Sequence, residues 1–250
     1  MRLCLNRMST ATCVLVIVAA ANMQTGCRAP AREVGRWNEN YAYVNSMPPI
    51  TFHYRHGILA GSYPGDAETM ELRFDDVCAQ LGHVCLCGAG GFRIAGKTVE
   101  ALRREGPPLE RGEFVLISSR DHTVGDVIAS VLGCSRRAAQ EWNQYWIDDS
   151  ISAPRREYFY YIAHPPAKVA VRVAYRKHLL IGHEEMDQLW EIESEFDRAP
   201  AAVTPEQVER YRKAMTTMVR DVLFDRIAGL ITVEPMEYAD FEARLESVRR

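Results

Sequence analysis

The chain lacks the marks of several large protein classes. Its 250 residues carry 30 Lys and Arg against 33 Asp and Glu, a net charge of -3. The basic surplus of a nucleic-acid binder is therefore missing. There is no block of like charge, no internal repeat and no low-complexity tract. No apolar run reaches the ~20 residues that a membrane-spanning helix needs. What is present is ordinary: 47% hydrophobic and 25% charged residues, enough to build a sizeable core in one or two domains.

The first residues read as an address, not as fold. Arg2 and Arg7 precede an apolar stretch around Val14-Leu15-Val16-Ile17-Val18, and small residues lead to Thr25-Gly26-Cys27. That is the layout of a secretory signal over residues 1–27. Its ending resembles the bacterial lipoprotein type, in which the cysteine takes a lipid, although Gln24 stands where that pattern usually has Leu. The expectation is an extracytoplasmic protein, periplasmic or anchored to a membrane through a lipid on Cys27, or otherwise secreted. Of seven cysteines, Cys4 and Cys13 then fall in the leader. Cys78, Cys85, Cys87 and Cys134 are left for disulfides, a metal or free thiols.

Residues 28–65, with Pro48-Pro49, Gly57, Gly61 and Pro64-Gly65, read as a linker and irregular extension. Helices are expected from Asp66 to Gln80, from about Gly90 to Arg104 with a stop at Gly106-Pro107-Pro108, and from near Gly125 to Gly133. Strands are expected at 114–118, 158–162 and 169–173, the last two joined by a turn at His164-Pro165-Pro166. Thr204 caps an amphipathic helix reaching Phe224 with Pro205 at its first position. A strand at 230–233 and a tail helix follow. Strands and helices do not alternate regularly, so the expected class is α+β with a mixed sheet, the main domain being 66–250.

Chemistry concentrates in two places. Gly82-His83-Val84-Cys85 runs into Leu86-Cys87-Gly88-Ala89-Gly90-Gly91. A thiol and an imidazole two residues apart suit zinc or another transition metal, and glycines allow close backbone approach. The second place is Asp121-His122-Thr123-Val124-Gly125-Asp126, which follows a strand and opens a helix that Gly133-Cys134-Ser135 closes. Taken singly, Asp121 reads as a helix cap and Asp126 as a first-turn acid. Trp142, Tyr145 and Trp146 read as core packing or as an anchor on a partner. His53 and His56 have a spacing that can bind metal, but they lie in a Pro/Gly-rich stretch.

Together the two regions resemble the E-subunit family of formylmethanofuran dehydrogenase. That family has His-Gly-His-x-Cys-Pro-Gly followed by Gly-(Tyr/Phe)-Arg-x-Ala; here Gly82-His83-Val84-Cys85 precedes Gly91-Phe92-Arg93-Ile94-Ala95. Its second element is matched by Asp121, Asp126-Val127-Ile128 and Gly133-Cys134-Ser135, and its aliphatic-Arg-aliphatic strand by Val171-Arg172-Val173. The resemblance spans roughly residues 68 to 235. Leu81 replaces the first histidine, Leu86 the proline, Cys87 a glycine and Thr123 a cysteine, and no CxxC pair follows to form a zinc ribbon.

The resemblance implies a dimeric α+β protein with a metal pocket built from both motifs. On that footing His83, Cys85 and Cys134 are the expected ligands of one zinc or similar ion, with Asp121 or His122 as a fourth donor or orienter and Asp126 behind a histidine. Their donor atoms should then lie within about 4 Å of one another. The protein would be accessory to an exported oxidoreductase. The alternative is a metal-free cysteine enzyme or thiol redox protein, with Cys85 as nucleophile, His83 or His122 as base and Asp121 as orienter. A third reading is a binding module without chemistry of its own.

Overall fold

Strand pairing starts where the sequence promised only linker. In the computed structural model, which describes residues 36–63, 67–103, 108–135 and 143–250, β1 (Ile50–His53) pairs antiparallel with β2 (Thr69–Leu72), Ile50 opposite Leu72. Val44, Met47, Ile50 and Phe52 are buried in the main core, and Trp37 Nε1 donates to Asp75. Residues Trp37–Arg250 form one compact unit, so the fold begins well before residue 66. The expected leader, Cys27 and Trp142 lie outside the described residues.

The pairing with β1 also corrects the expected helix from Asp66. Residues 69–72 are strand, and the helix α2 (Phe74–Leu81) starts after Arg73. Asp76 closes its first turn by accepting the Arg73 N–H at 2.8 Å. Among the described residues between β1 and β2 stands the short α1 (Arg55–Leu59).

The central sheet has the order β4-β3-β5-β6-β7. Its strands are β3 (Val115–Ser118), β4 (Tyr145–Ile147), β5 (Glu157–His164), β6 (Val169–Arg176) and β7 (Ile231–Met236). β4 runs parallel to β3, and every other pairing is antiparallel. This is the expected α+β class with a mixed sheet. The strong apolar pattern of β5 and β6 extends beyond the expected ends because each residue from 157 to 164 finds a partner between 169 and 176.

The sheet alternates as strands must. Leu116, Tyr160, Ile162, Val171, Val173 and Tyr175 face the main core, which α3 (Leu86–Arg103), α4 (Val124–Leu132) and α6 (Pro205–Leu223) help to form. Val115, Ile117, Tyr161, Ala163 and Ala170 face the other way, where Phe241 and Leu245 of α7 (Tyr238–Arg249) cover them. α6 starts as read: Thr204 and Gln207 cap each other reciprocally, with Pro205 at the first position. A further helix, α5 (His183–Arg198), was not anticipated. Met186, Leu189 and Ile192 make its buried stripe, but its charge masks that stripe in the sequence. Among the described residues, no helix is long and apolar enough to cross a membrane.

Candidate functional site

The glycine-rich motif is helix, not loop. α3 begins at Leu86, so Cys85 takes the position before the first turn, where Ser, Thr, Asp or Asn normally accept an amide N–H. Its sulfur does that job: Sγ accepts the N–H of Gly88 at 3.3 Å and that of Cys87. Glycine disfavours helix interiors, yet two positions here require it. A Cβ on Gly90 would stand 2.7 Å from the Tyr175 ring, and one on Gly91 would stand 2.5 Å from Val127. The first vacancy seats Tyr175 against α3. The second lets α3 and α4 touch, bringing the start of both helices to one end of the sheet.

At that end the loop after β3 supplies Asp121 and His122. Asp121 Oδ2 accepts the Gly125 N–H at 3.0 Å and the Tyr160 hydroxyl at 2.7 Å. Burial raises its carboxyl above the usual range, against the pull of those two hydrogen bonds and of the Lys177 charge. His122 Nδ1 lies 2.7 Å from Thr123 Oγ1 and 3.9 Å from Cys87 Sγ. The turn after β6 supplies Lys177, only 2% exposed. Its Nζ lies 3.8 Å from Cys87 Sγ, 5.0 Å from the Tyr158 ring and 5.6 Å from the Tyr175 ring. Tyr175 is fully buried, and its hydroxyl has no hydrogen-bond partner among the described residues.

One sulfur thus stands between an ammonium and an imidazole. Cys87 is half-buried and sits in the first turn of α3. A negative charge developing on it faces Lys177 and the positive end of the helix. The other described thiols are poorly placed for attack, since the thiolate is the nucleophile. Burial pushes Cys78 and Cys134 up to about 12 and raises Cys85.

The expected ligands are not brought together. His83 is exposed, with Nδ1 3.0 Å from the Leu81 carbonyl. Cys85 caps α3. Cys134 lies beyond the far end of α4, its sulfur turned inward to donate to the Phe114 carbonyl at 3.4 Å. A nine-residue helix separates it from His122, about 13 Å of rise. Among the described residues no three His, Cys, Asp or Glu side chains converge in a way that would hold a metal ion. The zinc implied by the resemblance draws no support from this arrangement of donors. Asp121 and His122 do share one loop, but the thiol that His122 approaches is Cys87 and not Cys85. Asp126 lines a small cleft with Val77, Gln80 and Thr123. His53 Nδ1 pairs with Glu110 at 2.5 Å, while His56 packs against Tyr54. Tyr145 and Trp146 form β4.

Sequence reading missed Lys177 and reached Cys87 only as a member of the motif. Cys87 is visible once Cys85 is recognised as a cap, because the next inward-facing thiol is then the free one. Lys177 has no local signal. Only the pairing of Tyr158 with Tyr175 shows that the residue after β6 ends over α3. No family model, curated protein or solved structure matches this chain, so the likeness to the formylmethanofuran dehydrogenase family rests on its two motifs alone.

Proposed function

We propose that this protein performs thiol chemistry at Cys87, with His122 as the proton acceptor beside the sulfur and Lys177 as the cation that holds negative charge there. The observation that carries this reading is the approach of Lys177 Nζ and His122 Nδ1 to the same sulfur, at 3.8 and 3.9 Å. Nucleophile, base and orienter within reach of one another is the general signature of covalent catalysis or thiol exchange. Asp121 and Tyr160 act behind them, fixing the loop that carries His122 rather than touching the reacting atom. The substrate class is an electrophile small enough to reach a half-buried thiol: a carbonyl, a thioester or a disulfide. The export leader, a lipid on Cys27, dimer formation and service to an exported oxidoreductase belong to the same proposal as its setting.

The test is selective alkylation. Iodoacetamide at neutral pH, followed by peptide mapping of the full chain, is expected to label Cys87 ahead of Cys78, Cys85 and Cys134. Lys177→Gln and His122→Gln should each slow that labelling by about 10²-fold or more. Predominant labelling of Cys85 would overturn the reading. Elemental analysis gives the opposing result: one zinc or other transition-metal ion per chain, lost in Cys85→Ala, would restore the metal-binding alternative.

A further inference from the structure

Lys177 is a buried cation with an unusual set of neighbours. Its Nζ has the Cys87 sulfur as hydrogen-bond partner and two phenol rings as walls. Among the described residues no carboxylate lies within ion-pair distance of it. The Asp121 carboxylate feels its charge from beyond ion-pair distance, and burying a charge so loosely paired is costly, so the arrangement needs a reason beyond stability. The Tyr175 hydroxyl is buried and unpartnered among the described residues; burial first, and then the charges that Cys87 and Cys85 can carry, hold it protonated. The sulfur thus has an amine on one side and an imidazole on another.

We infer that Cys87 and Lys177 form a redox-controlled covalent pair: on oxidation by a hydroperoxide the sulfur becomes linked to the lysine nitrogen. The inference rests on Cys87 being the reactive thiol, as proposed above. In the first step the Cys87 thiolate attacks the terminal peroxide oxygen. An S–O bond forms and the O–O bond breaks; sulfur loses two electrons, the peroxide gains them, and the alkoxide leaves and takes a proton from the Lys177 ammonium, which becomes the neutral amine. Cys87 is now a sulfenic acid, the reversible rung of cysteine oxidation. In the second step the neutral Lys177 amine attacks that sulfur. An S–N bond forms, the S–O bond breaks, and hydroxide leaves as water with a proton from nitrogen. The sum is one thiol, one amine and one hydroperoxide giving one sulfenamide, one alcohol and one water. Returning two electrons from an external thiol reopens the link.

Three features favour the lysine over other partners. The four-carbon stem of Lys177 is flexible, so Nζ can close the remaining gap. Cys85, the obvious resolving thiol, has its sulfur committed to the Gly88 and Cys87 amides and raised by burial. The Tyr175 ring, 5.6 Å from Nζ, helps to wall the amine in beside the sulfur. The link would close the site while oxidant is present and spare the sulfur from the irreversible sulfinic state.

The experiment treats the full-length protein with stoichiometric hydrogen peroxide, blocks residual thiols and maps tryptic peptides without reduction. The expected product joins residues 74–93, which contain Cys87, to residues 177–198, since a modified Lys177 resists trypsin. It should weigh two hydrogens less than the sum of the reduced peptides. Dithiothreitol should split it, and Lys177→Arg should lack it. Cys87 found instead in a disulfide, as a sulfinic acid, or as a link that survives in Lys177→Arg overturns the inference. Alkylation of unoxidised protein separates the two failures. Fast Cys87 labelling with no link removes only the covalent pair, whereas labelling that prefers Cys85 removes the reading beneath it.

Discussion

The two ends of α4 hold similar residues and treat them in opposite ways. At its C-terminal end every last-turn carbonyl has a donor. Cys134 N–H bonds Ala129 O, Arg111 Nη2 bonds Ser130 O, Arg111 Nε bonds Val131 O and Gly112 N–H bonds Leu132 O. A guanidinium there also suits the negative end of the helix. Gly133, at φ 76°, turns the chain in the left-handed region, and Cys134 gives its thiol proton to Phe114. At the N-terminal end, among the described residues, only Gly125 of the first turn has a side-chain acceptor, Asp121. Beyond it stand a thiol, an imidazole, a buried ammonium and a buried hydroxyl without a partner. One end spends its polar groups on closure, and the other keeps them available. That difference, not the mere presence of Cys, His and Asp, is why the proposed chemistry is placed at the N-terminal end.

The strongest way to break this comparison is to damage each end by one methyl group. Gly133→Ala places a Cβ 2.9 Å from the Gly112 nitrogen and forces a left-handed alanine. We expect a loss of about 3 kcal/mol in urea unfolding, with the rate of Cys87 alkylation in the folded protein unchanged. Gly90→Ala puts its Cβ 2.7 Å from Tyr175. The ring must shift, and Lys177 rides beside it. Here the expected stability loss is smaller, about 1–2 kcal/mol, while the labelling rate changes. If Gly133→Ala alters labelling as much as Gly90→Ala does, the two ends are not functionally separate.

Much of the fold was legible because its signals are local. Thr204-Pro205 opens α6, Gly133 closes α4, and the apolar run before Ser118 is β3. What escaped depends on contacts distant in sequence. Residues 69–72 are strand because 50–53 lie beside them, and no property of Thr69-Met70-Glu71-Leu72 announces it. Gly90 and Gly91 sit inside a helix because Tyr175 and Val127 fill the space that side chains would take; their own preference argues for a turn. The site was half legible for the same reason. Asp121 and His122 stand out beside a strand end. Cys85 stands out too, but its sulfur replaces the oxygen of a capping residue. Lys177 becomes visible only when the register of β5 and β6 is known. Cys134 belongs to the motif by sequence and to the closed end by geometry.

Asp121 offers a sharper contrast, because its role in stability and its role in positioning point in opposite directions. Burial raises its carboxyl, so the folded state holds that proton more tightly than the unfolded chain does. Stability contributed by the protonated form is present at low pH and lost as pH rises through the folded value. Asp121→Asn removes this loss and can keep an oxygen facing Tyr160 and Gly125. At neutral pH the variant should therefore unfold within about 1 kcal/mol of the parent, or later. Its melting temperature should vary less with pH across the carboxylate range. Cys87 labelling should slow, because the Lys177 charge and the His122 loop lose their anionic neighbour. Slower labelling accompanied by a large loss of stability would reduce Asp121 to a helix cap.

The smallest effect is expected at the closed end of the sheet. His164 is 5% exposed, and neither ring nitrogen has a hydrogen-bond partner among the described residues. Glu113 approaches its Nε2 at 3.8 Å, and the Phe114 ring lies 5.0 Å away. Burial lowers its pKa, and the opposing charges of Glu113 and Glu110 do not restore it. The unfolded chain therefore takes up this proton before the folded one does. The contribution of neutral His164 is intact above the ordinary histidine value of about 6.5. It is lost as pH falls from there to the lower folded value. His164→Phe removes the titrating group at nearly constant volume. The variant should match the parent within about 1 kcal/mol at pH 8 and lose less stability between pH 7 and pH 5. Glu110, held below its usual range by His53 and Arg55 against the effect of burial, titrates lower and should leave its own acid limb unchanged in both proteins. Parallel stability curves for parent and variant across that window would mean that the closed end does not exclude water from this ring, and the contrast with the open end would weaken accordingly.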